Sequence, residues 1–132
     1  MKMKIDHIGY AVKNIDKAKK AMKVLGYDFG DVIEDTDRGI YISFGTKDAL
    51  CIELVAPIDV KAGNSPVSNL LSKAGPTPYH ICYHSDDLEA DVSFLEADGF
   101  RLLIPPAPAV AFGGKRVVFM FSVDIGLIEI VE

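Results

Sequence analysis

Tryptophan is absent and cysteine occurs only twice, at Cys51 and Cys82, in a chain of 132 residues. Two thiols are too few for the disulfide framework of a small secreted domain, so reduced cysteines and a cytoplasmic location are expected. No apolar stretch approaches the roughly 20 residues that cross a bilayer. The opening MKMKIDHIGYAVKN places Asp6 and His7 where a signal peptide needs an unbroken apolar run, which argues against export and against a membrane partner. Positive charge is scarce as well: 14 Lys and Arg face 19 Asp and Glu, the formal net charge is −5, and no run of like charge exceeds the two-residue step of Lys19-Lys20. The basic footprint that nucleic acid requires is missing. What is present is apolar, 49% of the residues against 25% charged. A chain of this size buries about two-thirds of its unfolded surface without help from disulfides or metal, and one domain is expected.

The chain repeats itself. Sliding His7 onto His80, an offset of 73, superposes HIGYAVKNIDKAKKAMKVLGY on HICYHSDDLEADVSFLEADGF without a gap. The pairs His7/His80, Ile8/Ile81, Tyr10/Tyr83, Ile15/Leu88, Met22/Leu95, Gly26/Gly99 and Tyr27/Phe100 are identical or similar, and Asn14 and Asp87 are both good helix N-caps. IELV at 52–55 returns as IEIV at 128–131 with an offset of 76. A repeat of this kind fixes architecture before any single residue is interpreted. Each half begins with a strand carrying the His, continues into a short amphipathic helix that ends at Gly26 or Gly99, and closes with three strands. The apolar stripes are Ile15, Ala18, Met22 and Leu25 in the first helix, and Leu88, Val92 and Leu95 with Phe94 beside them in the second.

Strands are expected near 29–34, 39–45 and 49–56, and again near 101–104, 116–121 and 126–131. The fold class is therefore α+β: two tandem βαβββ modules forming a half-open, eight-stranded cup. Module one covers 1–57, a Pro- and Gly-bearing connection with a short helix through Val67–Lys73 covers 58–76, and module two covers 77–132.

Strand alternation puts His7 on the face away from the helix and Tyr10 and Val12 on the face toward it, and the repeat gives His80 the same side, with Cys82 and His84. Glu53 shares a face with Cys51 and Val55, and Glu129 with Leu127 and Val131, each carboxylate alone among apolar neighbours. A carboxylate in such surroundings must be paired, coordinated or protonated. One solution is a structural hydrogen bond between each His and the Glu of its own half. The other uses the repeat: a pseudo-twofold brings two imidazoles and two carboxylates to one axis, an N2O2 set that divalent transition metals accept with two positions left for water or substrate.

The segments KIDHIGYAVKNID, CIELVAP at 51–57, TPYHICY at 77–83 and DIGLIEIVE at the end resemble, in this order and spacing, the vicinal oxygen chelate superfamily, the group of glyoxalase I, methylmalonyl-CoA epimerase and extradiol dioxygenases. The resemblance covers essentially the whole chain and implies metal ligands at His7, Glu53, His80 and Glu129. It implies one divalent transition metal per chain, nickel first and cobalt, manganese, iron or zinc as alternatives, and a homodimer. The epimerases resemble this chain strongly at its two ends, yet usually carry Gln at the position of Glu53 and a further catalytic Glu near Ile42, where this sequence has none. The acidic variant is similar to glyoxalase I, lactoylglutathione lyase, which isomerises the hemithioacetal of a 2-oxoaldehyde to a thioester through an enediolate. On this resemblance Glu129 is the base and Glu53 its partner, and the small-molecule partner is a thiol adduct or an acyl thioester. The alternatives are an epimerase-like isomerase and a non-catalytic, antibiotic-binding relative of the same fold.

Residues 105–116, PPAPAVAFGGKR, are expected to form a mobile loop at the rim. There Lys115 and Arg116 are candidates for holding the anionic groups of a thiol carrier, against the plainer reading of two solvated charges. Phe112 is a candidate lid over substrate, against the plainer reading of a loop aromatic packed on its own sheet. Cys51 and Cys82 suit small buried positions. Lys17, Lys19, Lys20 and Lys23 suit the wet face of a helix.

Overall fold

Helix α1, Ile15–Val24, begins where the sequence supplies its cap: Asn14 accepts a hydrogen bond from the Lys17 backbone N–H at 2.9 Å. It ends at Gly26, whose φ of +97° suits glycine and whose N–H reaches the Lys23 carbonyl at 2.9 Å. Helix α3, Leu88–Ala97, repeats this start, with Asp87 accepting from the Ala90 N–H at 3.1 Å, and Gly99 follows it at φ +95°. A computed structural model describes residues 1–132 and divides them into two compact units, Ile8–Tyr79 and Met1–His7 with His80–Glu132.

In the unit Ile8–Tyr79, strand β1 (Lys4–Ala11, entering from Ile8), α1, β2 (Asp28–Phe29), β3 (Ile33–Asp35), β4 (Ile40–Lys47), β5 (Leu50–Pro57) and helix α2 (Ser68–Ala74) follow in chain order. The strands pair in the order β2-β4-β5-β1, with β3 also on β4. One strand was expected near 29–34. Two short ones stand there, so the chain has nine strands rather than eight. The break falls at Gly30–Val32, where Gly30 is held by its own N–H on the Phe44 carbonyl at 2.9 Å and by Ser43 Oγ and Lys19 Nζ on its carbonyl. The core packs Ile15, Ala18 and Met22 of α1 on Ile52, Leu54 and Ala56 of β5. Leu25, expected in that stripe, is exposed; it is the C-cap, beyond the last helical turn, with its N–H bonded back to Met22 and Lys23.

In the other unit, the first residues of β1 accompany β6 (Thr77–His84), α3, β7 (Arg101–Pro108), β8 (Arg116–Ser122) and β9 (Gly126–Val131). Strands β6, β9, β8 and β7 are neighbours in that order. Leu88 and Leu95 of α3 pack on Val118, Met120, Ile128 and Ile130, with Val92 alongside; Phe94 points out to solvent. Residues 105–108, expected in the loop, extend β7. Pro105, Pro106 and Pro108 are tolerated there because β7 is an edge strand, paired with β8 alone through two register shifts.

The repeat survives as matching register. β1 runs parallel to β5 with Gly9 opposite Glu53, and β6 runs parallel to β9 with Cys82 opposite Glu129. In the antiparallel pairs Phe44 lies opposite Glu53 and Phe119 opposite Glu129. Parallel and antiparallel strand pairs within each unit, with three helices in the chain, make a mixed α+β fold.

Candidate metal centre

β9 shows how the sequence aims a carboxylate inward. Ile128 and Ile130 are drawn into the core against α3, so period-2 alternation turns Glu129 to the opposite face, beside Val131. On that face Cys82, Ala109, Val117 and Val131 form a second buried cluster, with Phe112 and Phe119 against it. His7 is fully buried, and His80 and Glu129 are 4% and 3% exposed.

These three side chains meet. Glu129 Oε2 lies 2.8 Å from His80 Nε2 and 3.4 Å from His7 Nε2, and the two Nε2 atoms are 3.4 Å apart. His7 is fixed from two further directions: Asp6 Oδ1 stands 2.7 Å from its Nδ1, and the Phe112 ring lies nearly parallel to it at 5.7 Å. Phe119 meets the His80 ring edge to face, also at 5.7 Å. Burial acts to raise the Glu129 carboxyl, but the His7 and His80 rings, when they carry a proton on the facing nitrogen, outweigh this and hold it well below the usual carboxylate range.

The donor chemistry fits a cation. A carboxylate oxygen can only accept, so His7 Nδ1 carries its proton toward Asp6 and the Nε2 of the neutral ring presents a lone pair. Glu129 Oε2, buried beside both imidazoles, has no aligned hydrogen bond of its own. Electron pairs gathered in a dry space repel one another unless a positive centre lies among them, and two imidazoles with a carboxylate are a borderline donor set for a divalent transition ion. His7, His80 and Glu129 are thus a buried cluster able to bind a metal, each offering one ligand atom within 4.8 Å of the others.

Glu53 is buried on β5, between Gly9 of β1 and Phe44 of β4. Phe112 ends a short 3-10 turn, Val110–Phe112, followed by Gly113 and Gly114 at φ +64° and +87°, and packs on His7. Lys115 is exposed. Arg116 is clamped: its guanidinium bonds Glu132 twice at 2.9 Å and Glu89 at 2.7 Å. Cys82 is fully buried, and desolvation pushes its thiol up to about 12; it is a packing residue and not a nucleophile. Two contacts escaped the sequence reading, Asp6 on His7 and Phe119 on His80. The signal for Phe119 was present in the paired Phe44 and Phe119, each set opposite its Glu.

The model of the Glyoxalase/Bleomycin resistance protein/Dioxygenase superfamily matches residues 6–119, and the chain belongs to that superfamily. Among solved structures, methylmalonyl-CoA epimerase from Mycobacterium tuberculosis is 28% identical with a TM-score of 0.81, over 97% of this chain and 86% of that one. A methylmalonyl-CoA epimerase in complex with methylmalonyl-CoA and NH4+ is 25% identical with a TM-score of 0.80, over 98% and 93%. The hypothetical protein BH1468 from Bacillus halodurans C-125, 24% identical with a TM-score of 0.86 over 100% and 95%, shares the fold. No curated protein matches the chain.

Proposed function

We propose that this chain is a metal-dependent enzyme of the glyoxalase I type, isomerising the hemithioacetal of a 2-oxoaldehyde and a small thiol to a thioester. The observation that carries this reading is the buried meeting of His7 Nε2, His80 Nε2 and Glu129 Oε2. In it His7, His80 and Glu129 hold one divalent transition metal together with Glu53, which occupies the equivalent place in the repeat and is buried to the same degree. Two nitrogens and two carboxylates suit Ni(II) first, then Co(II), Mn(II), Fe(II) or Zn(II). The metal, when bound, supplies Lewis-acid stabilisation of negative charge developing on substrate oxygen. Glu129, a carboxylate and therefore ionised at neutral pH, takes the proton from the carbon bearing sulfur and returns it to the adjacent carbon, while the hydroxyl proton passes from the first carbon's oxygen to the second's. Ala109, Val117 and Val131 keep water from the reacting atoms. Phe112 packs against the substrate, and exposed Lys115 meets the carrier's anionic group.

A second reading is an epimerase acting on an acyl-CoA thioester, favoured by the epimerases among the structural neighbours. Against it stands Ile42, a buried apolar residue opposite Val55, where the epimerase resemblance calls for a second carboxylate. The deciding experiment measures the metal content of the purified chain, then turnover of methylglyoxal with glutathione and, separately, of methylmalonyl-CoA. Turnover of the hemithioacetal supports the proposal. Turnover of methylmalonyl-CoA alone replaces it with the epimerase, and metal without turnover of either replaces it with a binding protein.

A further inference from the structure

We infer that Asp6 is a positioning residue for the metal centre, holding His7 in the tautomer that turns the Nε2 lone pair toward Glu129 and His80. The inference rests on the metal reading above and adds to it a residue outside the ligand set. Asp6 Oδ1 lies 2.7 Å from His7 Nδ1, the short distance of a charge-assisted hydrogen bond. A neutral imidazole has a single N–H, and a carboxylate acceptor draws it to the nitrogen it faces. The opposite tautomer would point an N–H into the cluster and take one ligand away from the metal.

Packing holds the plane of the ring. His7 is fully buried, and Phe112 lies against its face with 19° between the planes. Cys82 Sγ also lies near His7, and a thiol is a weaker hydrogen-bond partner than a carboxylate. The repeat does not carry the feature into the second half: Tyr79 stands at the position equivalent to Asp6. The carboxylate is therefore a departure from the internal symmetry, located at the imidazole whose Nδ1 it reaches. Outer partners of this kind typically change metal affinity by about 10–100-fold.

The test compares the wild-type chain with Asp6→Ala and Asp6→Asn, first metal-free and then titrated with Co(II) against a competing chelator. Long-range 15N–1H correlation of the metal-free proteins, at a pH where the ring is neutral, reads which nitrogen of His7 carries the proton. The wild type is expected to show Nδ1–H. Asp6→Ala is expected to shift His7 toward Nε2–H and to weaken Co(II) binding about 10–100-fold, with an unchanged circular dichroism spectrum. Asp6→Asn keeps a neutral acceptor, so it should retain the Nδ1–H form and recover part of the affinity. His7 remaining Nδ1–H in Asp6→Ala, or Co(II) affinity within a factor of about three of wild type, where the outer-partner effect is about tenfold or more, overturns the role of Asp6. Failure of the wild-type chain to bind Co(II) overturns the metal centre itself, an outcome separate from the tautomer readout.

Discussion

Replacing Glu129 by Gln separates the two tasks assigned to that side chain. The substitution preserves volume on a strand packed on both faces, between the α3 core behind it and the Cys82, Val117 and Val131 cluster in front, so the backbone has no reason to move. The carbonyl oxygen of the amide can still stand near His80 and His7, where Oε2 now lies at 2.8 and 3.4 Å, and can still coordinate. It cannot take a proton from carbon at neutral pH. Removing a general base costs on the order of 10²–10⁴ in rate, or about 3–5 kcal/mol of barrier at 1.36 kcal/mol per decade. Glu129→Gln should therefore lose about 10²–10⁴ in kcat for methylglyoxal with glutathione when compared at equal metal loading. Glu53→Gln, measured beside it, should lose less. Initial rates on metal-replete protein, with metal quantified in each sample, make the comparison. Undiminished turnover in Glu129→Gln would leave Glu129 as a ligand only, and equal losses in the two variants would refute the assignment of the base.

The purified chain should hold about one transition-metal ion, with affinity falling as the pH is lowered because protons compete with the metal for its imidazole ligands; full occupancy in a His7→Ala, His80→Ala double variant, by elemental analysis, would refute the centre. Cys82, fully buried with its thiol pushed up to about 12, should resist a thiol reagent in the native protein, leaving at most the half-buried Cys51 to react; rapid titration of both thiols without denaturant contradicts that placement. Arg116 holds the Glu132 carboxyl down to about 2. The stability from that pair is present above the ordinary value of 4.5 and is lost as the pH falls toward 2, so Arg116→Ala should flatten the acid side of a urea-midpoint profile. The pair is exposed, so the effect should be small and shrink with salt. The same variant should leave KM unchanged while Lys115→Ala raises it, and the reverse order would show that Arg116 leaves its clamp to meet substrate.

Much of this protein was decided by neighbours in sequence. The N-caps Asn14 and Asp87, the glycines that follow each helix, and the alternation that sets Glu129 against Ile128 and Ile130 all act over a few residues, so the sequence carries them directly. The offsets of 73 and 76 reappear in the fold as matched register, Gly9 opposite Glu53 and Cys82 opposite Glu129, because two similar segments bury similar faces. Other features required the folded chain. One carboxylate, Glu129, faces both His7 and His80, although either His was equally able to pair with the Glu of its own half. Arg116, a substrate candidate in the sequence, pairs with Glu89 and Glu132, 27 and 16 residues away. Pro105, Pro106 and Pro108 lie in a strand because tertiary structure made β7 an edge, where a missing N–H costs no ladder bond. Asp6 reaches around to the Nδ1 of the residue next to it, a contact that alternation alone directs to the opposite face. Caps and periodicity are local free-energy preferences, whereas the partner of a charge or the solvent exposure of an edge depends on which distant segment returns to that place.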